Sequence, residues 1–584
     1  MMRPAVASSP PPSPPFVLVQ DGTRLLGFDA PSTTLETRDP GAVPGLLEEA
    51  DRRLAGGSWV AGFVSYEAAR GFGLVTRLPD PDGPPVAWLG VFDGPREAEW
   101  PRAPLGPPPA VRWQPALDPE SYADAVERIR ARIVAGDTAQ ANFTFPLVAA
   151  LAEDPFALFA RLVAGQRPRH ASYVDLGRFV VASASPELFF RVENGVATAR
   201  PMRGTAPRGR SGDEDARRAG ALRSSEKKRA ANRTIVDVLR DDLSRVAETG
   251  SVEVVDLFDV ETYPNLLQMT STLRARVGRA SLSSLVAALF PCASVTGAPR
   301  VRTMEILAAR EVAPRGVYTG SIGWASPHGD ASWSVAIRTA VADRERSAVV
   351  YGVGSGVVAD SEPAAEYAEC LGKARVLEEP VFALLETLAF LPGDGFHHLE
   401  GHLARMAASA RHFSFPFDGR RVQQALREAA APGTGAMRVR LLLHTDGRVE
   451  VETDPLAPPP SGRLRVGLAA RSVDPESVWL YHKTTRREVY DEALASRPDC
   501  DDVLLWNARG EVTESAVANV IVEVAGTRLT PPLSCGLLPG VERARVLAEG
   551  RAREAVVRLA DLREGSRLWL ASSLRGVREG VFVG

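Results

Sequence analysis

Two carboxylates and a lysine are spaced for chemistry in EPAAEYAECLGKARVL. Glu366, Glu369 and Lys373 stand at i, i+3 and i+7, so a helix over this stretch carries all three on one face. Two carboxylates on one face can hold magnesium, which takes hard oxygen ligands and shares them with an anionic substrate. The same spacing also makes a surface ion pair from Glu369 to Lys373. Just upstream, Gly354, Ser355 and Gly356 would offer backbone N–H groups to an anion. That run is not a dinucleotide fingerprint, because no helix-opening GxGxxG follows a strand there. A third carboxylate, Glu187 in SPELFF, precedes Asn194-Gly195, the strongest hairpin signal in the chain. A two-residue turn there sets Glu187 opposite Met202 and next to Arg203. Pro201 breaks the pairing, which leaves the face taken by Arg203 open. Taken alone, Glu187 reads as an exposed strand carboxylate, since glutamate is seldom buried.

The elements that must position these groups follow from spacing. Tyr122, Val126, Ile129 and Ile133 recur at helical intervals, and Gly136 ends that helix. Phe143, Phe145 and Leu147 alternate as a strand does. Ile235, Val238, Leu239, Leu243 and Val246 give an amphipathic helix between Ser225 and Val246. Residues 1–15 read as a disordered, proline-rich tail, and the prolines from Trp100 to Pro115 as a linker or long loop. Near Pro380 the pattern restarts, which places domains at 16–378 and 383–584. Strands and helices alternate in both, so the fold class is α+β or α/β.

Bulk properties narrow the function classes. A chain of 584 residues is too long for one hydrophobic core, since cores stop growing near ~250–300 residues. Net charge is −3, so no basic excess exists to bind nucleic acid. No run of ~18 apolar residues predicts a membrane span. Prolines interrupt the apolar stretch of MMRPAVASSPPPSPPFVLVQ, so no signal peptide is expected and the protein reads as cytoplasmic. Cys292, Cys370, Cys500 and Cys535 form no CxxC pair and read as small buried thiols.

The segments GDTAQANFT, SPELFF, RPMRGTAPRG, SVTGAPRVRTMEIL, RGVYTGSIGW, SVAIRTAV and YGVGSGVVADSEPAAEYAECLGKA occur in that order. Together, over about 55–378, they resemble the chorismate-utilising family, which includes anthranilate, isochorismate and aminodeoxychorismate synthases. The resemblance implies a two-sheet α/β sandwich. Chorismate is a dianion whose ring hydroxyl must leave, so it needs a proton donor and cations or a metal. By resemblance Glu187 is the general acid, Arg338 and Lys373 hold substrate carboxylate, and Glu366 and Glu369 bind Mg2+. Gln140 stands where isochorismate-type members carry a water-activating lysine, which favours ammonia as the nucleophile.

Three positions depart from the family. Aminodeoxychorismate synthases usually carry a lysine in PIKGT or PMKGT that attacks the ring; here it is Arg203, whose guanidinium stays protonated and is no nucleophile. Anthranilate synthases usually have alanine there. Relatives usually read AEN where this chain has Ala231, one charged ligand fewer for magnesium. Gln268 stands where several relatives carry histidine.

HLARMAASARHF, YHKTTRREVYDEA, DDVLLWNARGEVTESAVANVIV, TPPLSCGLLPGVERARVL and ASSLRGV resemble fold-type IV pyridoxal-phosphate enzymes from about 383 to 584. This implies Lys483 as the Schiff-base lysine and Glu514 as partner of the pyridine nitrogen. Arg405, Ser572 and Ser573 become phosphate ligands, with help from a helix opening after Gly540. Lys483 needs a desolvated setting to lose its proton, and it would also carry the substrate's α-proton. His482 reads as structural. The order of the two halves resembles bifunctional p-aminobenzoate synthases of folate synthesis, in which aminodeoxychorismate made first is split by a lyase. Such enzymes take chorismate and use ammonia from a separate glutamine amidotransferase; the second fold is often a homodimer. The alternatives are a lyase alone behind an inactive first half, or a class IV transaminase behind a first half that makes a different aminated product.

Overall fold

A computed structural model describes residues 12–430, 435–459 and 461–584. They divide into two compact units. The first runs to Pro207 and resumes over Ala219–Val381; the second comprises Arg208–Arg218 and Phe382–Gly584. Residues 1–11 of the expected proline-rich tail lie outside the described residues.

In the first unit two ten-stranded antiparallel sheets form a sandwich. Alternation along the strands decides which side chains go where. Val17 and Val19 join Phe63, Trp88 and Ile322 in a core shared by both sheets. Phe16 and Leu18, one residue out of phase, lie in a separate core with residues of the helices Pro119–Val134 and Pro155–Gln166. The second sheet's other face is covered by the helices Val43–Ala55, Glu226–Ser244 and Leu282–Leu289. Strands buried on both faces explain the near-continuous apolar runs.

Three local features position the site. The strand Gln140–Ala150 pairs with Ala348–Val357 along its whole length, from Ala141 opposite Val357 to Ala150 opposite Ala348. The helix Pro363–Ala374 follows, opened by proline at its first turn, where a missing N–H costs nothing. The hairpin at Asn194-Gly195 forms, with both residues at positive φ, and Glu193 pairs with Val196. Its register then slips at a bulge between Leu188 and Arg191, so Leu188 faces Arg200. The strand that follows, Met202–Pro207, leaves this partner for Leu266–Arg276.

The second unit holds two sheets. One is four-stranded and antiparallel, with the helices Leu399–His412 and Gly419–Ala430 sharing a core with it. The other has eight strands, in which Leu464–Leu468 pairs in parallel with Asp502–Trp506 and Gly576–Phe582. Asn507 and Gly510 close the turn between Asp502–Trp506 and Val512–Ser515: Gly510 N–H donates to Asn507 O at 2.8 Å, and Asn507 Oδ1 accepts from Arg509 N. Both units therefore mix helices and sheets, the α+β and α/β class.

Candidate active sites

In the first unit Glu187 is 2% exposed. It sits at the end of its strand, where the bulged hairpin brings Met202 N–H to donate to its Oε1 at 3.3 Å. Burial pushes its carboxyl up to about 7, against hydrogen bonds from Ser294 and Met202 and the charge of Arg203 that favour ionisation. A glutamate left protonated near neutrality is what proton donation to a leaving hydroxyl requires.

The cations gather on the glycine strand and its helix. Lys373 donates to Gly354 O at 2.7 Å and pairs with Glu369 at 2.7 Å. Arg203 donates from Nη2 to Gly356 O at 3.1 Å. Arg338, at positive φ, donates to Lys373 O at 2.5 Å. It lines a small cavity of about 30 Å³ with Gln166, Ala184, Tyr263 and Gln268. Gln268 donates to Gly204 O at 3.0 Å, beside Arg203 in the chain.

The glycine run is extended strand rather than an open turn. On a strand, one residue's amide and carbonyl point to the same edge, so Gly354 and Gly356 turn toward Lys373 and Arg203. The Ser355 side chain is fully buried, with its Oγ 2.8 Å from Tyr122 Oη. Gln140 is buried and pairs with Ala298.

The donor set at Glu366 and Glu369 does not fit a magnesium ion. Ser361 donates to Glu366 at 2.8 Å. Lys373 and then Arg203 and Arg338 act on Glu369, outweighing burial and holding its carboxyl low. Position 231, the third ligand of the resemblance, is alanine, and among the described residues no cluster of three metal-ligating side chains occurs. The helix that carries Ala231 instead serves the Arg203 strand: Asn232 Nδ2 donates to Arg203 O at 3.3 Å, and Lys228 donates to Thr205 O.

In the second unit Lys483, Glu514 and Arg405 come together. Burial, and next Arg405, lower the Lys483 amine to about 8. Glu514 is 3% exposed and burial pushes it up to about 7. Tyr490 Oη donates to it at 2.9 Å, Asn519 Nδ2 at 3.1 Å and Leu538 N–H at 3.2 Å. Arg405 grips Glu386 through Nε at 2.8 Å and Nη2 at 2.6 Å. Burial alone would raise Glu386; Arg405 outweighs it and the carboxyl stays near 2. His402 Nδ1 lies 2.6 Å from the same carboxylate.

Gly540 caps the helix Val541–Ala548, and a Cβ there would meet Asn519 Oδ1 at 1.8 Å, so only glycine lets the two approach. Asn519 pairs with Ala571, which brings Ser572 and Ser573 to the same end of the sheet. These residues fit pyridoxal phosphate: an amine able to lose its proton, an enclosed carboxylate for the ring nitrogen, and an arginine with helix-end amides for phosphate. His482 is structural: Ser409 Oγ lies 2.9 Å from its Nδ1, and its ring stacks on His412 at 4.4 Å.

Sequence reasoning missed Tyr490, Asn519 and Glu386. Asn519 follows Glu514 by five residues across the connection between two strands, so turn spacing carried a signal for it; Tyr490 lies on the helix Glu488–Ala495, which begins after Lys483, and had none. Nothing in the sequence tied Glu386 to Arg405.

A profile of the chorismate binding enzyme family matches residues 36–379, and one of amino-transferase class IV matches 383–580. The chain is 40% identical over 272 residues to an aminodeoxychorismate synthase of Streptomyces griseus, covering 46% of this chain and 37% of that one. It thus spans little more than a third of that relative's length. It is 34% identical over 358 residues to anthranilate synthase component 1 of Thermus thermophilus, 55% of this chain and 77% of the relative. The solved anthranilate synthase component I of Streptococcus pneumoniae superimposes with a TM-score of 0.52 at 23% identity, covering 65% of this chain and 95% of that one, a likeness of fold.

Proposed function

This chain belongs to the chorismate binding enzyme family, with a class IV amino-transferase region behind it, and on that premise we propose that it makes p-aminobenzoate in two steps. The first unit exchanges the ring hydroxyl of chorismate for ammonia, releasing water and giving 4-amino-4-deoxychorismate. The second splits that product into p-aminobenzoate and pyruvate. One observation carries the reading: the two regions are consecutive on one chain, 36–379 and 383–580. A tethered second unit raises the local supply of the first unit's product.

In the first step Glu187 gives its proton to the departing hydroxyl, while Arg338 and Lys373 hold carboxylate. Arg203 is no nucleophile, so ammonia attacks the ring directly. A separate glutamine amidotransferase supplies the ammonia. In the second step Lys483 accepts the α-proton, for which an amine near 8 is suited. Glu514 would hold the ring nitrogen of the cofactor, and Arg405, Ser572, Ser573 and the Gly540 helix end would hold its phosphate. Pyridoxal phosphate, when bound, supplies the electron sink that makes this proton acidic. Aromatisation of the product drives the elimination.

The test is to incubate purified protein with chorismate and ammonium and to separate the products by chromatography. p-Aminobenzoate and pyruvate in equal amounts are expected. Intact chorismate, with supplied aminodeoxychorismate still split, would leave a lyase behind an inactive first half. Anthranilate would replace the first step by a different amination, and transfer of an amino group without pyruvate release would make the second unit a transaminase.

A further inference from the structure

In the first unit a guanidinium stands near the carboxylates that were expected to hold a metal ion. Arg203 reaches from the strand Met202–Pro207 onto the glycine strand so closely that a Cβ on Gly356 would lie 1.8 Å from its Nη1. The carboxylates Glu369, Glu366 and Glu187 act on it, in decreasing order, and none of them lies within ion-pairing distance. Its guanidinium donates one hydrogen bond, to Gly356 O. Arginine has five donors and no acceptor, so most of its N–H groups remain for a ligand. The backbone holding it is itself anchored, by Asn232 at Arg203 O and Lys228 at Thr205 O.

The two carboxylates meant for magnesium are committed elsewhere, Glu366 to Ser361 and Glu369 to Lys373. A divalent ion placed there would also meet two guanidiniums and an ammonium that act on Glu369. Magnesium needs near-octahedral oxygen ligands and gives up water reluctantly. A guanidinium needs neither, and its fork matches a carboxylate in two parallel hydrogen bonds. Ala231 removes a negative charge from the expected ligand set, and Arg203 keeps permanently a positive charge that the lysine usual at its position can lose, so the balance shifts away from a bound cation.

We infer that this site binds its dicarboxylate substrate without a divalent metal, with Arg203 gripping one carboxylate and Arg338 with Lys373 the other. Arg203 is then a substrate-binding residue. The inference rests on the proposed chorismate substrate.

It is tested on the full chain after exhaustive treatment with a chelator. Chorismate binding is measured by calorimetry with and without excess magnesium, and manganese binding by electron paramagnetic resonance. The expected result is chorismate affinity that changes by less than about twofold with magnesium, and no stoichiometric manganese site with or without chorismate. Arg203→Ala should weaken metal-free chorismate binding by at least about tenfold, with Arg203→Lys recovering part of it. The wild-type measurements stand whether or not a variant folds. Chorismate binding that magnesium strengthens about tenfold or more, or one tightly held manganese per chain, overturns the inference and leaves the substrate reading intact. No chorismate binding under either condition overturns the substrate reading, and the inference with it.

Discussion

The two side chains proposed to move protons hold them at unusual pH, and both shifts come first from burial. Glu187 is raised to about 7 and Lys483 lowered to about 8. For Glu187 the folded protein binds a proton that the unfolded chain releases near its ordinary carboxyl value. The stability this contributes is therefore complete at acid pH and lost as pH rises through about 7. The same proton serves catalysis, so first-step turnover should fall as pH rises through about 7 in steady-state assays. Glu187→Gln should lower that turnover by about 10²–10⁴-fold; a variant within a few-fold of wild type would remove Glu187 from the reaction. For Lys483, amine modification of the cofactor-free protein, followed by mass spectrometry, should reach half its maximal rate near pH 8. A midpoint in the ordinary lysine range, about 10.4, would mean the amine is not desolvated. Lys483→Ala should also abolish the shifted visible band that distinguishes protein-linked from free pyridoxal phosphate, measured after unbound cofactor is dialysed away.

At the scale of the element, what the sequence made legible was periodic. The helix read from Tyr122, Val126 and Ile129 runs over Pro119–Val134, and the one read between Ser225 and Val246 runs over Glu226–Ser244. The Asn194-Gly195 pair sets the start of the hairpin by itself, but the bulge moves Leu188 opposite Arg200, so Glu187 meets Met202 through its side chain and not through the register the turn alone implies. What was not legible depended on partners distant in the chain. The bulge between Leu188 and Arg191 has no signature in SPELFFRVENG, and the inward turn of Ser355 is fixed by Tyr122, 233 residues away. The two flanking glycines should accordingly respond differently to the same change. At Gly354 an added Cβ meets the Phe143 carbonyl oxygen at 2.7 Å, in a backbone ladder that cannot yield. Gly354→Ala should cost about 1–3 kcal/mol of stability, seen in thermal unfolding. At Gly356 the added Cβ meets only the mobile end of Arg203. Gly356→Ala should leave the unfolding temperature nearly unchanged and raise KM for chorismate. Equal effects on both properties at both glycines would mean that Arg203 is structural.

At the scale of the molecule, the second unit is not continuous in sequence, because Arg208–Arg218 belongs to it. That segment begins directly after the strand carrying Arg203. Arg208 grips Asp215 through Nη2 at 2.6 Å and donates to His412 O, and Asp215 lies 3.5 Å from His412 Nδ1. His412 stacks on His482, which precedes Lys483. Burial, and next Arg208, keep His412 neutral, down to about 4, so Asp215 answers chiefly to Arg208. Asp215→Asn would take the carboxylate from a guanidinium only 7% exposed, leaving it the His412 carbonyl, and removing one partner of a buried pair costs up to about 3–5 kcal/mol. In urea the bound cofactor's absorbance should then be lost at a lower denaturant concentration than in the wild type, while chorismate binding by the first unit keeps its midpoint. If both midpoints moved together, the segment would belong to the stability of both units, and if neither moved, the Arg208–Asp215 pair would contribute nothing that the fold needs.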